Sequence, residues 1–229
     1  MKRLFILFVL CLGLQIAFAQ NCSQFINAVN GKKLVYVNLD SKGNPMGKIA
    51  ITTTKKDGST VAVHTEVIDK KGKTGGGSDS EMSCNGQSIS VDMKSFIPTA
   101  SLKQFGKMDM KVDGHSLVYP LELKAGQKLA DGTASVSISN NGADFGNITI
   151  TITNRKVATQ ENVSTSAGSF NCFRINYDLT VRMVMMGMNI PINMHVMEWF
   201  SPKLYRMVKS ETYSDEGKGG SKTQLESIN

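Results

Sequence analysis

Ile148-Thr149-Ile150-Thr151-Ile152-Thr153 alternates apolar and hydroxylated side chains without a break, and this stretch decides the fold class. A period of two puts the isoleucines on one side of an extended chain and the threonines on the other. That is the signature of a sheet with one buried and one wet face. The pattern recurs on both sides of it. Ala134, Val136 and Ile138 alternate with serines, and Ile89, Val91 and Met93 with Ser88, Ser90 and Asp92. Val61, Val63, Thr65 and Val67 alternate with Ala62, His64, Glu66 and Ile68. Leu34 to Leu39 and Ile49 to Thr54 read as a first hairpin, and Met207 to Tyr213 as a late strand beyond Pro202.

Turn signals separate these runs. Asn30-Gly31, Asp57-Gly58, Asn85-Gly86, Asp113-Gly114 and Asp131-Gly132 are dipeptides that close tight hairpins. Gly126 and Gly168 stand where loops enter strands and call for unusual backbone angles. The expectation is an all-β chain: a large curved antiparallel sheet of about ten strands, forming an open barrel or sandwich. One short helical segment is expected near Ser101 to Lys107, where Phe96, Ile97, Leu102 and Phe105 can share a side and Pro98 divides the stretch. Gly72 to Ser78 reads as a flexible loop. Gly72-Lys73-Thr74 mimics the end of a phosphate loop, but Val67 stands where that motif needs a glycine, and three glycines follow.

The first nineteen residues read as a signal peptide. Lys2 and Arg3 precede the apolar run Leu4 to Ile16, and Ala17-Phe18-Ala19 offers small residues at the spacing of a cleavage site. The expectation is one β-rich domain over residues 20–229, exported, periplasmic or outer-surface, and soluble after cleavage. No later stretch is long and apolar enough for a membrane span. The net charge of +7 is spread in turn pairs such as Lys32-Lys33, Lys55-Lys56 and Lys70-Lys71. Nucleic acid wants basic residues gathered on one face among aromatics, so no such partner is expected. Cys22, Cys84 and Cys172 would survive export. In an oxidising compartment two of them pair and the third stays free or buried, and all three pairings remain open.

The segment Phe173 to Phe200 is rich in methionine. Phe173, Ile175, Tyr177, Leu179, Val181, Met183 and Met185 fall on one face, and Ile190, Ile192, Met194 and Val196 share a face on the return strand. Three readings compete. The hairpin can simply fill the core, since methionine suits irregular gaps. It can line an adaptable groove for an acyl chain or a partner's hydrophobic segment, built from Met183, Met185, Met194, Val196 and Trp199. Or thioethers with His195 can hold Cu(I). Met-x-x-Met spacing occurs at Met183/Met186, Met185/Met188 and Met194/Met197, but residues three apart on a strand point to opposite faces.

Catalytic patterns are missing. His64, His115 and His195 each stand in a different predicted element, and neither His-Glu-x-x-His nor Gly-x-Ser-x-Gly occurs. The reading is no enzyme, with no catalytic residues, cofactor or metal.

Several ordered pieces carry a resemblance: Pro120-Leu121-Glu122-Leu123-Lys124-Ala125-Gly126-Gln127-Lys128-Leu129, Asn154-Arg155-Lys156-Val157, Ser166-Ala167-Gly168-Ser169-Phe170, Trp199-Phe200-Ser201-Pro202 and Val208-Lys209-Ser210-Glu211. In that order the chain resembles the TapB-like family of exported Bacteroidetes-type proteins, from about Asn21 to Ile228. Lys203-Leu204-Tyr205-Arg206 departs from it, where the family often has a glycine-containing turn. The resemblance implies an envelope location and an all-β fold and brings no catalytic residues. The expected architecture is also similar, by analogy alone, to the half-barrel of LolA-like lipoprotein carriers. The expected function is a non-enzymatic envelope protein that binds an apolar ligand or lipidated partner in a sheet concavity. The alternative is a structural or adhesion component docking on another envelope protein through a strand edge, and a hydrolase-type enzyme comes third.

Overall fold

A computed structural model describes residues 22–93, 109–140, 143–185 and 187–229. The predicted leader and the predicted helical lid at Ser101 to Lys107 lie outside the described residues. Helix α1 spans residues 22–29. The strands that follow are β1 (Lys33–Leu39), β2 (Pro45–Lys55), β3 (Thr60–Asp69), β4 (Thr74–Cys84), β5 (Ser88–Asp92), β6 (Asp109–Gly114) and β7 (Ser116–Pro120). The second half comprises β8 (Gly132–Asn140), β9 (Ala143–Thr165), β10 (Gly168–Met185), β11 (Met188–Ser201), β12 (Arg206–Ser214) and β13 (Gly219–Ile228). All thirteen belong to one antiparallel sheet, so the all-β reading holds with more strands than the ten expected.

The sheet order is β6-β8-β9-β10-β11-β12-β13-β1-β2-β3-β4-β5-β7. Its two edges are β6 and β7, yet only His115 separates them in sequence. A single residue spans a few ångströms, so β6 and β7 run on end to end through His115, whose N–H donates to Thr133 O (3.0 Å). This one extended run pairs with β8 along its first part and with β5 along its second, which curls the sheet almost into a closed barrel. The remaining gap is filled by the segment after β7. Gly126 N donates to Val157 O (2.8 Å), Leu129 N to Arg155 O (2.9 Å), and Val157 N to Gln127 O (2.9 Å), extending the ladder of β9 beyond the start of β8.

Arg155 completes this seam. Its Nη1 donates to the carbonyls of Val118 on β7 (3.0 Å) and Ala130 ahead of β8 (2.7 Å), and its guanidinium lies 4.7 Å over the Tyr119 ring. The side chain reaches the interior because of a bulge. Asn176 pairs with Lys156 and Asp178 with Thr153, so Tyr177 faces both Asn154 and Arg155. Asn154 absorbs the extra residue at φ 57°, and its side chain donates to Asp178 Oδ2 (2.6 Å). Ile148, Ile150 and Ile152 are buried before the bulge, and Arg155 and Val157 after it. The inward face thus changes from even to odd numbers, as a bulge requires.

Helix α1 was not expected, although Cys22, Phe25, Ile26 and Val29 have the spacing of one helical face. All four are buried in the main core, and Cys22 is bonded to Cys84 at the end of β4. Thr53 Oγ1 donates to Val29 O, and Asn30 Oδ1 accepts from Lys55 N, so the helix end is tied to β2. A second cluster unites Leu34, Tyr36, Cys172, Trp199, Val208 and Leu225 with Val163, Ala167 and Phe170 of the β9–β10 hairpin.

The loop expected over Gly72 to Ser78 is corrected: from Thr74 onward it is strand β4, paired with β3. A Cβ on Gly77 would lie 3.0 Å from a His64 ring carbon and 3.1 Å from Thr65 O. Glycine here permits a close strand approach and does not confer slack.

Burial, with Glu161 adding to it, pushes the Cys172 thiol up to about 11. Alkylating reagent at neutral pH should therefore leave Cys172 unmodified in the folded protein and label it after denaturation, as mass spectrometry would show. The Cys22–Cys84 bond joins positions 62 residues apart. By loop-closure entropy, its loss in a Cys22→Ser/Cys84→Ser double variant should cost about 4 kcal/mol. Denaturant titration measures it, and an unchanged midpoint would show that the cross-link contributes nothing.

Candidate functional site

Strands β10 and β11 stay in register from Phe173↔Phe200 to Met185↔Met188. Paired residues point the same way, and alternate pairs share a face. One face therefore carries Ile175/Glu198, Tyr177/Val196, Leu179/Met194, Val181/Ile192, Met183/Ile190 and Met185/Met188 in sequence. This stripe grades from core to water. Ile175 and Val196 are buried, Leu179, Val181, Met183 and Met194 are half-buried, and Ile192, Ile190 and Met188 are 41%, 47% and 61% exposed.

At its inner end the stripe meets a cavity of about 210 Å³ inside the curl of the sheet. Ile49 and Ile51 of β2, Val63 of β3 and Phe200 form apolar wall, while Tyr36, Tyr119, Tyr177, Glu198 and Arg206 bring polar groups to it. Tyr205, in the turn between β11 and β12, also lines it and packs edge-to-face on Phe25 of α1 with centroids 5.5 Å apart. Tyr205 adopts φ 50°. A tyrosine thus holds a left-handed position that favours glycine.

The polar groups form a layered contact. Tyr119 stacks on Phe200 with centroids 4.7 Å apart, and its hydroxyl donates to Glu198 Oε1 (3.1 Å). Arg155 covers the ring, as described. Burial raises the pKa of Glu198, against the opposing pull of Arg155 and of hydrogen bonds from Tyr119 and Tyr177. Burial first, and Glu198 second, also push both phenols well above their ordinary range, so they remain neutral donors. Tyr36 donates to Met207 O (2.8 Å) and is raised by burial too. Arg206 Nε and Nη2 are shut off from water with no protein partner among the described residues, and burial lowers the guanidinium's pKa.

The sequence-proposed residues divide. Met183, Met185, Met194 and Val196 share the stripe's face. Trp199 lies on the other face: it belongs to the second cluster, donates to Glu161 and carries Lys209 Nζ 4.6 Å over its ring. Of the cysteines, Cys22 and Cys84 are paired, and Cys172 is a buried thiol. The sequence reading missed Glu198, Tyr119 and Arg206, and it placed Tyr177 on the stripe without a polar role. Glu198 alone left a signal, as a carboxylate on an otherwise apolar strand face. His195 is exposed, with Nδ1 2.6 Å from Asp178 Oδ1. The hydrogen bond from Asn154, followed by His195, holds the Asp178 carboxyl below its usual range. Among the described residues no three His, Cys, Asp or Glu side chains gather as metal ligands, and no helix is long and apolar enough to cross a membrane.

Fold and cavity together define a class: a curled antiparallel sheet with an internal, mainly apolar chamber. Within it, the chain belongs to the DUF3108-like family, whose model matches residues 29–225. No curated protein matches the sequence. Crystal structures that share the fold include these two. One is a protein from Bacteroides fragilis NCTC 9343 described as exported and as having a YmcC-like fold; its TM-score is 0.70 at 22% identity, covering 87% of this chain and 96% of that one. The other, from Parabacteroides distasonis ATCC 8503, is described as a lipoprotein; its TM-score is 0.73 at 19% identity, covering 91% and 99%.

Glu198 gives a pH test. An acid whose pKa is raised on folding keeps its proton while the unfolded chain, at an ordinary value of 4.5, releases it. Its contribution to stability therefore falls as pH rises from that value through the folded one. The melting temperature of Glu198→Gln relative to wild type should accordingly be higher at pH 7 than at pH 4. A difference that is flat with pH would mean that Glu198 ionises alike in both states.

Proposed function

We propose that this is a non-enzymatic, exported envelope protein that binds the apolar part of a ligand in the concavity of its sheet. The observation that carries the reading is the uninterrupted apolar stripe from the exposed β10–β11 tip into the cavity. Side chains that fill a core are buried along their whole length. Here one row of side chains begins in water and ends in the interior, which is the geometry of an entry path. The cavity is smaller than the roughly 300–1,000 Å³ typical of sites that swallow a drug-sized molecule whole. It suits one end of a chain-like ligand whose remainder lies along the stripe, where Met183, Met185 and Met194 can repack at little cost.

Export rests on the basic, apolar and small-residue organisation of residues 1–19, on the TapB-like resemblance, and on the description of one fold neighbour as exported. Those supports fit the alternative of a docking component of the envelope equally well, but the stripe favours the ligand reading. The purified protein should raise the fluorescence of N-phenyl-1-naphthylamine, and native mass spectrometry should reveal a copurified lipid-like mass. Replacing Met188 and Ile190 together by serine should weaken dye binding several-fold while leaving the melting temperature nearly unchanged, because both lie on the exposed part of the stripe. Neither dye binding nor bound mass in the wild type would sink the reading.

A further inference from the structure

Resting on the ligand reading above, we infer that the ligand is an amphipathic anion, an aliphatic chain ending in a carboxylate or phosphate ester, and that Arg206 holds its head. Arg206 opens β12 and lines the cavity beside Tyr36, Thr223 and Met207. Burying a guanidinium costs several kcal/mol unless it is paired and hydrogen-bonded. Arg155 in the same interior meets part of this need through two carbonyls and an aromatic face. Arg206 has no such arrangement. Nε and Nη2 are closed off and unmatched in both arginines, but Arg206, half-buried as a whole, has neither a carbonyl nor a carboxylate partner among the described residues. The groups that act on its charge are the phenols Tyr36 and Tyr119. A guanidinium in a cavity wall with no anion of its own suits an oxyanion.

The acid already in the chamber does not fill the role. Glu198 is engaged by Tyr119, Tyr177 and the charge of Arg155. A cation without a carboxylate partner therefore stands at the inner end of an apolar path, as an anionic head with an aliphatic tail would require. The head seats in the cavity and the tail runs outward over Tyr177/Val196, Leu179/Met194 and Val181/Ile192.

Displacement of N-phenyl-1-naphthylamine from the purified protein at pH 8 and low salt tests this, with dodecanoate, dodecyl phosphate, dodecanol and dodecyltrimethylammonium as competitors. At least one of the two anions should displace the dye at roughly ten-fold lower concentration than the alcohol, the gain expected of charge-assisted hydrogen bonds. The anion that leads identifies the head group, and the cation should be weakest. Arg206→Met should erase the anion's advantage and leave the alcohol unchanged, while Arg206→Lys should keep part of it. Anions no better than the alcohol in the wild type would overturn the inference but spare the apolar-ligand reading. An advantage that survives in Arg206→Met would overturn it too. Failure of the wild type to bind dye or any competitor would sink both. Should Arg206→Met fail to fold, the wild-type comparison and Arg206→Lys still decide.

Discussion

Closing the curled sheet is the constraint on which the rest depends, and Arg155 carries it. Where pairing passes from β8 to β5 through His115, β7 and the segment ahead of β8 meet without a regular ladder between them, and unpaired backbone groups there are costly when buried. A single guanidinium bonded to a carbonyl of β7 and another ahead of β8 bridges that gap. It also covers the ring of Tyr119, which in turn reaches Glu198 across the interior. The seam and the floor of the cavity are therefore one continuous set of contacts. A change at the seam would be felt where the ligand is proposed to sit.

This coupling explains the chemistry of the chamber. Its walls are apolar because alternate residues of β2, β3 and β11 face inward. Its arginines enter where regularity breaks: Arg155 at the bulge made by Asn154, Arg206 at the start of β12 after a left-handed Tyr205. Irregular backbone supplies the two arginines, while Glu198 and Tyr119 stand on regular ladders amid the apolar wall.

That division also sets what the sequence disclosed. Strands such as Ile148 to Thr153 were legible because period two survives within a strand, and the β10–β11 stripe was legible for the same reason. The exchange of faces after Asn154 was not, because nothing in the one-dimensional pattern marks which residue a bulge inserts. Trp199 could be read from sequence either as a core-edge residue or as part of the groove with Val196; the odd spacing sends it to the opposite face, into the second cluster. Gly75 to Gly77 looked slack because composition does not show what passes close by, here the ring of His64. Helix α1 was overlooked because two turns give too little periodicity to stand out beside a predicted cleavage site. Arg206 was hidden because which arginine reaches a cavity wall without a partner is a tertiary fact.

The pairing of β1 with β13 has a consequence for how the molecule forms. These strands sit side by side near the centre of the sheet, while on either side neighbours follow the chain almost step by step. The protein is thus two meanders welded along one antiparallel ladder running from Leu34↔Ile228 to Leu39↔Lys222. Hairpins on each side can zip locally and fast, but the weld must close a loop spanning nearly the whole chain, which makes it the slow step. Until β13 arrives, β1 and β12 present open edges at the centre of the assembly, ready to pair with a neighbouring chain. The last few residues therefore decide whether the product is a chamber or an aggregate.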